Sequence, residues 1–122
     1  MKSPARKHFE QVSAAKAAGT ATPGEQQQGE QYELHAHALY EARRTLKTIK
    51  SIQAKIEKKR ELLPDFMPYI NGVLSEGKGA KDDVLMTIMV WCIDVGEFEK
   101  ALEIGAYAVK HNIETPDQYD RD

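Results

Sequence analysis

The stretch that decides the fold reads KKRELLPDFMPYINGVLSEGKGAKDDVLMTIMVWCIDVGEFEKALEIGAYAVK over residues 58–110. After a Gly-Lys-Gly turn at residues 77–79, the pair Asp82-Asp83 comes directly before an apolar run that contains Trp91. Aspartate before such a run is a typical helix N-cap, and glycine typically ends a helix. The order of these signals predicts an all-α fold whose last part is a compact helical hairpin bundle.

Within this stretch the sequence predicts three helices. Pro64 predicts the end of a preceding helix, because proline disfavours helical backbone at the residue before it. We then expect a short helix over residues 65–75, a nearly all-apolar central helix over 84–95 and a last helix over 97–111. The last two resemble one tetratricopeptide-type unit, although a single unit is not a repeat array.

Upstream, residues 31–61 contain neither glycine nor proline, and apolar residues recur every seven positions. Such spacing is typical of a coiled-coil seam. It predicts one long coiled-coil-like helix of about 45 Å at 1.5 Å per residue. A helix of this length needs a large partner or a second copy, so we expect homo-oligomerisation through Leu39, Leu46, Ile49 and Ile56.

The same helix is strongly basic on one side. Residues 43–60 contain eight basic residues and one acid, Glu57, whereas residues 82–122 contain ten acids and three bases. At 100° per residue most of the bases point away from the apolar seam, which suits a phosphate-binding ridge. A solvated face, or one neutralised by the acidic half, is the alternative. The candidate DNA contacts are Arg43, Arg44, Lys47, Lys50, Lys55, Lys58 and Lys59.

The N-terminal region is predicted to be a separate unit. Ser3 followed by Pro4 is a typical helix start, and the helix should run to about residue 18. Residues 19–30, GTATPGEQQQGE, have the composition of a flexible linker. We therefore expect a mobile basic arm at 1–18, a linker at 19–30, a helical core for oligomerisation and DNA binding at 31–114, and a tail at 115–122. In the arm, Lys2, Arg6 and Lys7 are further candidate DNA contacts.

Taken in order, these features resemble one family, the small terminase subunit of peduovirus-type tailed phages. The resemblance rests on residues 58–110, on the basic helix Arg43–Arg60, and on SPARKH at 3–8 and VSAA at 12–15. It implies a protein that binds the packaging site of concatemeric double-stranded viral DNA in the host bacterial cytoplasm. It also implies assembly into a ring and delivery of the DNA to a large subunit that hydrolyses ATP and cuts. Members are often described as the endonuclease subunit.

Two departures from the family pattern matter. Residues 3–18 contain one predicted helix, so the helix-turn-helix of many small terminases is not supported. Family members usually continue beyond residue 122 with a more basic helical half. The chain is therefore either a truncated piece or a compact member.

The sequence offers little for catalysis or for a cofactor. Cys92 is the single cysteine, which excludes an intrachain disulfide and a cysteine-rich zinc cluster. The turn at 77–79 lacks the spacing of a phosphate-binding loop, and His35 and His37 lack the i,i+4 spacing of helical zinc ligands. Asp82, Asp83 and Asp94 could be considered as a two-metal centre, but the first two suit a helix cap better, and Asp94 is expected near a helix end about three turns away. We therefore expect no metal, no cofactor and no membrane segment.

Three functional hypotheses remain. A DNA-packaging subunit that does not cut DNA by itself is preferred. A helical protein-interaction and assembly module without direct DNA binding is the alternative, and an autonomous metal-dependent nuclease comes third. Whether any nuclease activity resides in this subunit stays open.

Overall fold

A computed structural model describes residues 2–113, and its regular elements in that part of the chain are five helices. The all-α prediction is confirmed. None of the described helices is long and apolar enough to cross a membrane. The predicted tail at 115–122 lies outside the described residues. The helices are α1 (Pro4–Thr20), α2 (Glu30–Lys47), α3 (Ile52–Glu76), α4 (Asp83–Val95) and α5 (Phe98–Lys110).

The core forms around α4, the helix predicted to be central. Ile70 of α3, Leu85 and Ile88 of α4 and Ile104 of α5 are completely buried. Trp91 packs edge-to-face on Phe66 with ring centroids 6.1 Å apart. Aromatic pairs in this geometry add to the stabilisation that burial alone provides. The hairpin of α4 and α5 is therefore built onto the second half of α3.

The first helix lies along α3, which differs from the mobile arm expected from the sequence. Ala14 and Ala18 are buried in this contact. Gly72 of α3 faces the backbone of α1, and a Cβ atom there would lie only 2.4 Å from the Gln11 carbonyl oxygen. Small residues on both helices thus permit a close approach. Alanine and glycine provide little hydrophobic pattern, which is why the contact was missed.

Residues 21–29 also differ from the flexible linker that their composition predicts. The backbone N–H of Gly24 donates to the Gly79 carbonyl at 3.0 Å, and that of Gln27 donates to the Lys81 carbonyl at 2.8 Å. Lys81 in turn donates to the Glu25 carbonyl at 2.8 Å. This segment therefore pairs with the loop before α4. Composition alone does not reveal such pairing, because most of these hydrogen bonds join backbone groups, which every residue carries.

The single long helix predicted over residues 31–61 is wrong. Helix α2 ends at Lys47 and α3 begins at Ile52. The Ser51 side chain accepts a hydrogen bond from the Ala54 N–H at 3.2 Å, and the Thr48 hydroxyl donates to the Thr45 carbonyl at 2.7 Å. Hydroxyl side chains that bond to nearby backbone groups compete with a continuous helix. The seven-residue periodicity is thus divided between two helices.

The predicted helix end at Pro64 is also wrong. Helix α3 runs through Pro64 and Pro68 to Glu76. Each proline removes one backbone donor and disfavours the helix interior. Pro68 and its neighbours Tyr69 and Ile70 are nevertheless buried. Tertiary packing of this face therefore outweighs the local preference for a helix end.

The apolar seam of α2 and α3 is covered within the chain itself. Leu39 and Leu46 belong to the buried core, while Ile49 and Ile56 are partly buried and pack against it. In this conformation Leu39 and Leu46 are not available to a second copy, and Ile49 and Ile56 are only partly accessible. The seam predicted for self-association is therefore used mostly inside the chain.

Candidate nucleic-acid interface

The exposed basic surface is centred on the corner between α2 and α3. Lys47 and Lys50 are exposed and form no ion pair with any described residue. The first turn of α3 contains no acidic residue, and the half-buried Lys55 follows it. Because the chain turns here, lysines from two helices and from the connection between them lie at one corner of the molecule.

Two further bases of the predicted ridge form only exposed ion pairs. Arg44 lies 3.6 Å from Glu41, and Lys58 lies 3.5 Å from Glu61, in both cases between neighbouring turns. Exposed pairs of this kind contribute about 0–1 kcal/mol. Arg44 and Lys58 are therefore free to exchange these carboxylates for phosphates at little cost. We call Arg44, Lys47, Lys50, Lys55 and Lys58 the basic corner.

Arg43 has a different contact. Its Nη2 donates to the Thr87 hydroxyl at 3.0 Å, and Thr87 is buried in α4. This bond ties α2 to α4, although the rest of the Arg43 side chain remains exposed. Arg43 therefore lies beside the basic corner with one of its donors already used.

Lys59 does not belong to the exposed basic surface, and this corrects its assignment as a DNA contact. The side chain is buried, with Nζ 2.9 Å from Asp94 Oδ2 and 5.9 Å from the Trp91 ring centroid. The ion pair joins α3 to α4. The helical projection missed this because α4 covers α3 on a side that looks solvent-facing in the sequence.

The N-terminal bases are mostly used to hold α1 in place. Lys2 Nζ donates to Glu10 Oε1 at 2.7 Å and to the Asp65 carbonyl at 2.6 Å, and Arg6 Nε donates to Glu10 Oε2 at 3.1 Å. Lys2 is therefore corrected from a DNA contact to a structural link between α1 and α3. Lys7 is exposed and has no ion pair among residues 2–113.

Glu10 lies at the centre of this cluster, and the sequence analysis missed it. Burial raises the pKa of Glu10, but the Lys2 amine, His35 and Arg6 together outweigh burial and lower it below its usual value. The neighbouring His35 is buried, and burial lowers its pKa. The available signal was the spacing of Glu10 four residues after Arg6, which suits an ion pair on one helix face.

The acidic residues considered for a two-metal centre have structural contacts. Asp82 accepts from the Leu85 N–H at 3.0 Å and from the Tyr69 hydroxyl at 2.6 Å, so it is the N-cap of α4. Burial raises the pKa of Asp82 to about 6. Asp94 is paired with Lys59. Within residues 2–113, no three His, Cys, Asp or Glu side chains come together in a way that would hold a metal ion.

A groove of about 500 Å³ lies between α1, α3 and the start of α5. Its wall includes Leu63 and Met67, and two of its three long cations are engaged, the exception being Lys7. Arg60 donates to the Val95 carbonyl at 3.2 Å, and Lys100 donates to Asn71 Oδ1 at 2.8 Å. The groove therefore offers less free positive charge than the basic corner.

Comparison with known proteins gives concordant results. The family model described as "Phage small terminase subunit" matches residues 36–122. The chain is 46% identical over 122 residues to "Terminase, endonuclease subunit" of Escherichia phage P2, covering 99% of this chain and 49% of that protein. It is 30% identical over 63 residues to "Probable terminase, endonuclease subunit" of Haemophilus phage HP1 (strain HP1c1), covering 51% of this chain and 22% of that protein. No solved structure shows a significant match.

Proposed function

The chain belongs to the phage small terminase subunit family, and we propose that it binds packaging-site DNA, self-associates and presents the DNA to the large terminase subunit. Its length is about half that of the Escherichia phage P2 relative. The activities of the full-length relative are therefore only proposed for this chain. The place of action that follows is the cytoplasm of the infected host, where viral DNA is packaged.

The observation that carries DNA binding is the basic corner. Lys47 and Lys50 have no ion pair among the described residues, whereas Lys2 and Lys59 have buried or half-buried carboxylate partners. Unpaired lysines at a corner of the surface can each replace a counterion on a phosphate. This supports binding to the DNA backbone. It does not require a recognition helix in the major groove.

The salt dependence of affinity tests this proposal. Five phosphate contacts per chain predict a log–log slope of about −4 to −5 for duplex DNA, at roughly 0.9 per contact. Lys47→Glu combined with Lys50→Glu should reduce that slope by about 2 and weaken binding at least tenfold. Fluorescence anisotropy with labelled duplexes at several salt concentrations measures both quantities.

A matched control changes the net charge of the chain by the same amount at a different place on the surface. Lys16 and Lys78 are exposed and lie outside the basic corner. Lys16→Glu combined with Lys78→Glu should weaken binding much less, because charges more than about 10 Å away are screened at 0.1 M salt. Equal losses in the two double variants would assign binding to net charge and would contradict a site at the corner.

We further propose that the chain does not cut DNA by itself. The carboxylates considered for a metal centre serve instead as a helix cap and an ion-pair partner, as described for Asp82 and Asp94. Cleavage should then require the large subunit. Nicking of supercoiled plasmid by the purified chain with magnesium or manganese, abolished by Asp83→Ala, would contradict this.

A further inference from the structure

Helix α5 has a second apolar face that no described residue covers. Phe98, Leu102 and Val109 are 60%, 74% and 79% exposed. Together with Gly105 they are spaced by four, three and four residues, which is the spacing of a coiled-coil seam. The opposite side of α5, with Ala101 and Ile104, is buried in the core. We call Phe98, Leu102, Gly105 and Val109 the α5 face.

We propose that the α5 face binds the α5 face of a second copy, with the two helices antiparallel. The inference deepens the self-association of the proposed function and rests on it. It replaces the α2 and α3 seam, which the chain covers by itself.

Shape complementarity favours the antiparallel arrangement. Centring the pair between residues 103 and 104 places Phe98 opposite the partner's Val109 and Leu102 opposite the partner's Gly105. The space above Gly105 is open, since a Cβ atom there would meet nothing closer than Met89 Sδ at 3.9 Å. A leucine of one helix can therefore fill the gap over the glycine of the other. A parallel pair would oppose two glycines and leave that gap empty.

Charge complementarity points to the same orientation. Glu99 and Lys110 are exposed and lie on the same edge of the α5 face. An antiparallel pair brings Glu99 within side-chain reach of the partner's Lys110, and symmetry repeats this contact. A parallel pair would place the two copies of this edge on opposite sides of the interface, so the attraction between Glu99 and the partner's Lys110 would not form. Glu103, near the middle of this edge, is already paired within its own helix with Lys100 at 3.0 Å.

The first test measures self-association by sedimentation velocity between 5 and 200 µM. Leu102→Asp and Gly105→Gln should each raise the dissociation constant at least tenfold. Both residues lie on the outer side of α5, so the monomer should stay folded, and glutamine is a better helix former than glycine. Ile52→Asp is the matched control, because Ile52 is 76% exposed on α3 and an acid suits the first turn of a helix.

The outcomes separate this interface from self-association in general. A wild-type chain that stays monomeric at 200 µM would overturn both the α5 interface and the proposed self-association. A wild-type oligomer unaffected by Leu102→Asp would overturn the α5 interface alone. A monomeric wild type whose binding to the large subunit is lost in Leu102→Asp would assign the face to that subunit instead. DNA binding by the basic corner is measured independently of all three.

Cross-linking tests the orientation. Phe98→Cys and Val109→Cys variants, one of them with a mass tag, should form a mixed disulfide-linked dimer when oxidised together. Each variant alone should form at least tenfold less. Cys92 is completely buried and should not take part. Cross-linking within each single variant but not in the mixture would indicate a parallel pair and overturn the antiparallel proposal.

Discussion

Replacing Gly72 by alanine tests how closely α1 is held against α3. The new Cβ atom would lie 2.4 Å from the Gln11 carbonyl oxygen and 2.9 Å from both the Ala15 nitrogen and the Ala14 Cβ atom. Favourable carbon contacts need about 3.5 Å or more. Two of these neighbours are backbone atoms, which cannot rotate away. Helix α1 must therefore move outward by about 1 Å.

The expected change in the free energy of unfolding combines two opposing effects. Overpacking typically costs about 1–3 kcal/mol, and backbone clashes place this site at the upper end. Alanine in place of glycine inside a helix contributes about 1 kcal/mol in the other direction. The net result for Gly72→Ala is a loss of about 2 kcal/mol. Gly105→Ala is the control, because its nearest neighbour is 3.9 Å away and it should be stabilised by about 1 kcal/mol.

Urea denaturation followed by far-ultraviolet circular dichroism measures this difference of about 3 kcal/mol. The protein concentration should be about 1 µM, so that self-association through the α5 face does not contribute. Hydrogen exchange of the α1 amides should accelerate in Gly72→Ala and stay unchanged in Gly105→Ala. If both variants are equally stabilised and α1 exchanges rapidly in the wild type, then α1 is not docked and the mobile arm is correct.

Two further substitutions test the buried ionic contacts. Lys59→Met should lower the free energy of unfolding by about 2 kcal/mol in urea titrations, because the mostly buried ion pair between Lys59 and Asp94 is lost. The salt slope of DNA binding should stay unchanged, and a reduced slope would return Lys59 to the DNA contacts. Asp82 has a pKa of about 6 in the folded protein, above its usual 3.8. The contribution of its protonated form to the free energy of unfolding is therefore present below about pH 4 and is lost as pH rises through 6. Relative to the wild type, Asp82→Asn should therefore gain about 2 kcal/mol between pH 4 and pH 7.5, and a pH-independent difference would contradict the raised pKa.

Elements defined by neighbouring residues were predicted well. Ser3 and Asp82 are the N-caps that the sequence indicated, and Gly96 ends α4 in the left-handed conformation with φ 87°. These signals act within one helical turn, so no distant residue is needed to interpret them. The prediction failed at Pro64 and at Thr48 to Ser51, where local preferences competed with packing or with one another.

The candidate site was predicted only in part. The sequence has eight bases within residues 43–60, and of these Lys47 and Lys50 are exposed in the structure, as the helical projection predicted. That projection also counted Lys59 among the exposed bases, although that amine is buried in an ion pair. A helical projection assumes one buried side and one solvent side. Helix α3 contacts α1, α2 and α4, so it does not meet that assumption.

What the sequence determined by itself is therefore local: the helical class, the caps and the uneven distribution of charge. Only the tertiary structure decided which charges remain available. Lys59 meets an aspartate 35 residues away, and Lys2 reaches a carbonyl 63 residues away. Such contacts depend on how whole helices pack, and the spacing of neighbouring residues has no information about them. The same packing buries Leu39 and Leu46 inside the chain and leaves the α5 face exposed to solvent, because the buried side of α5 already packs on the core.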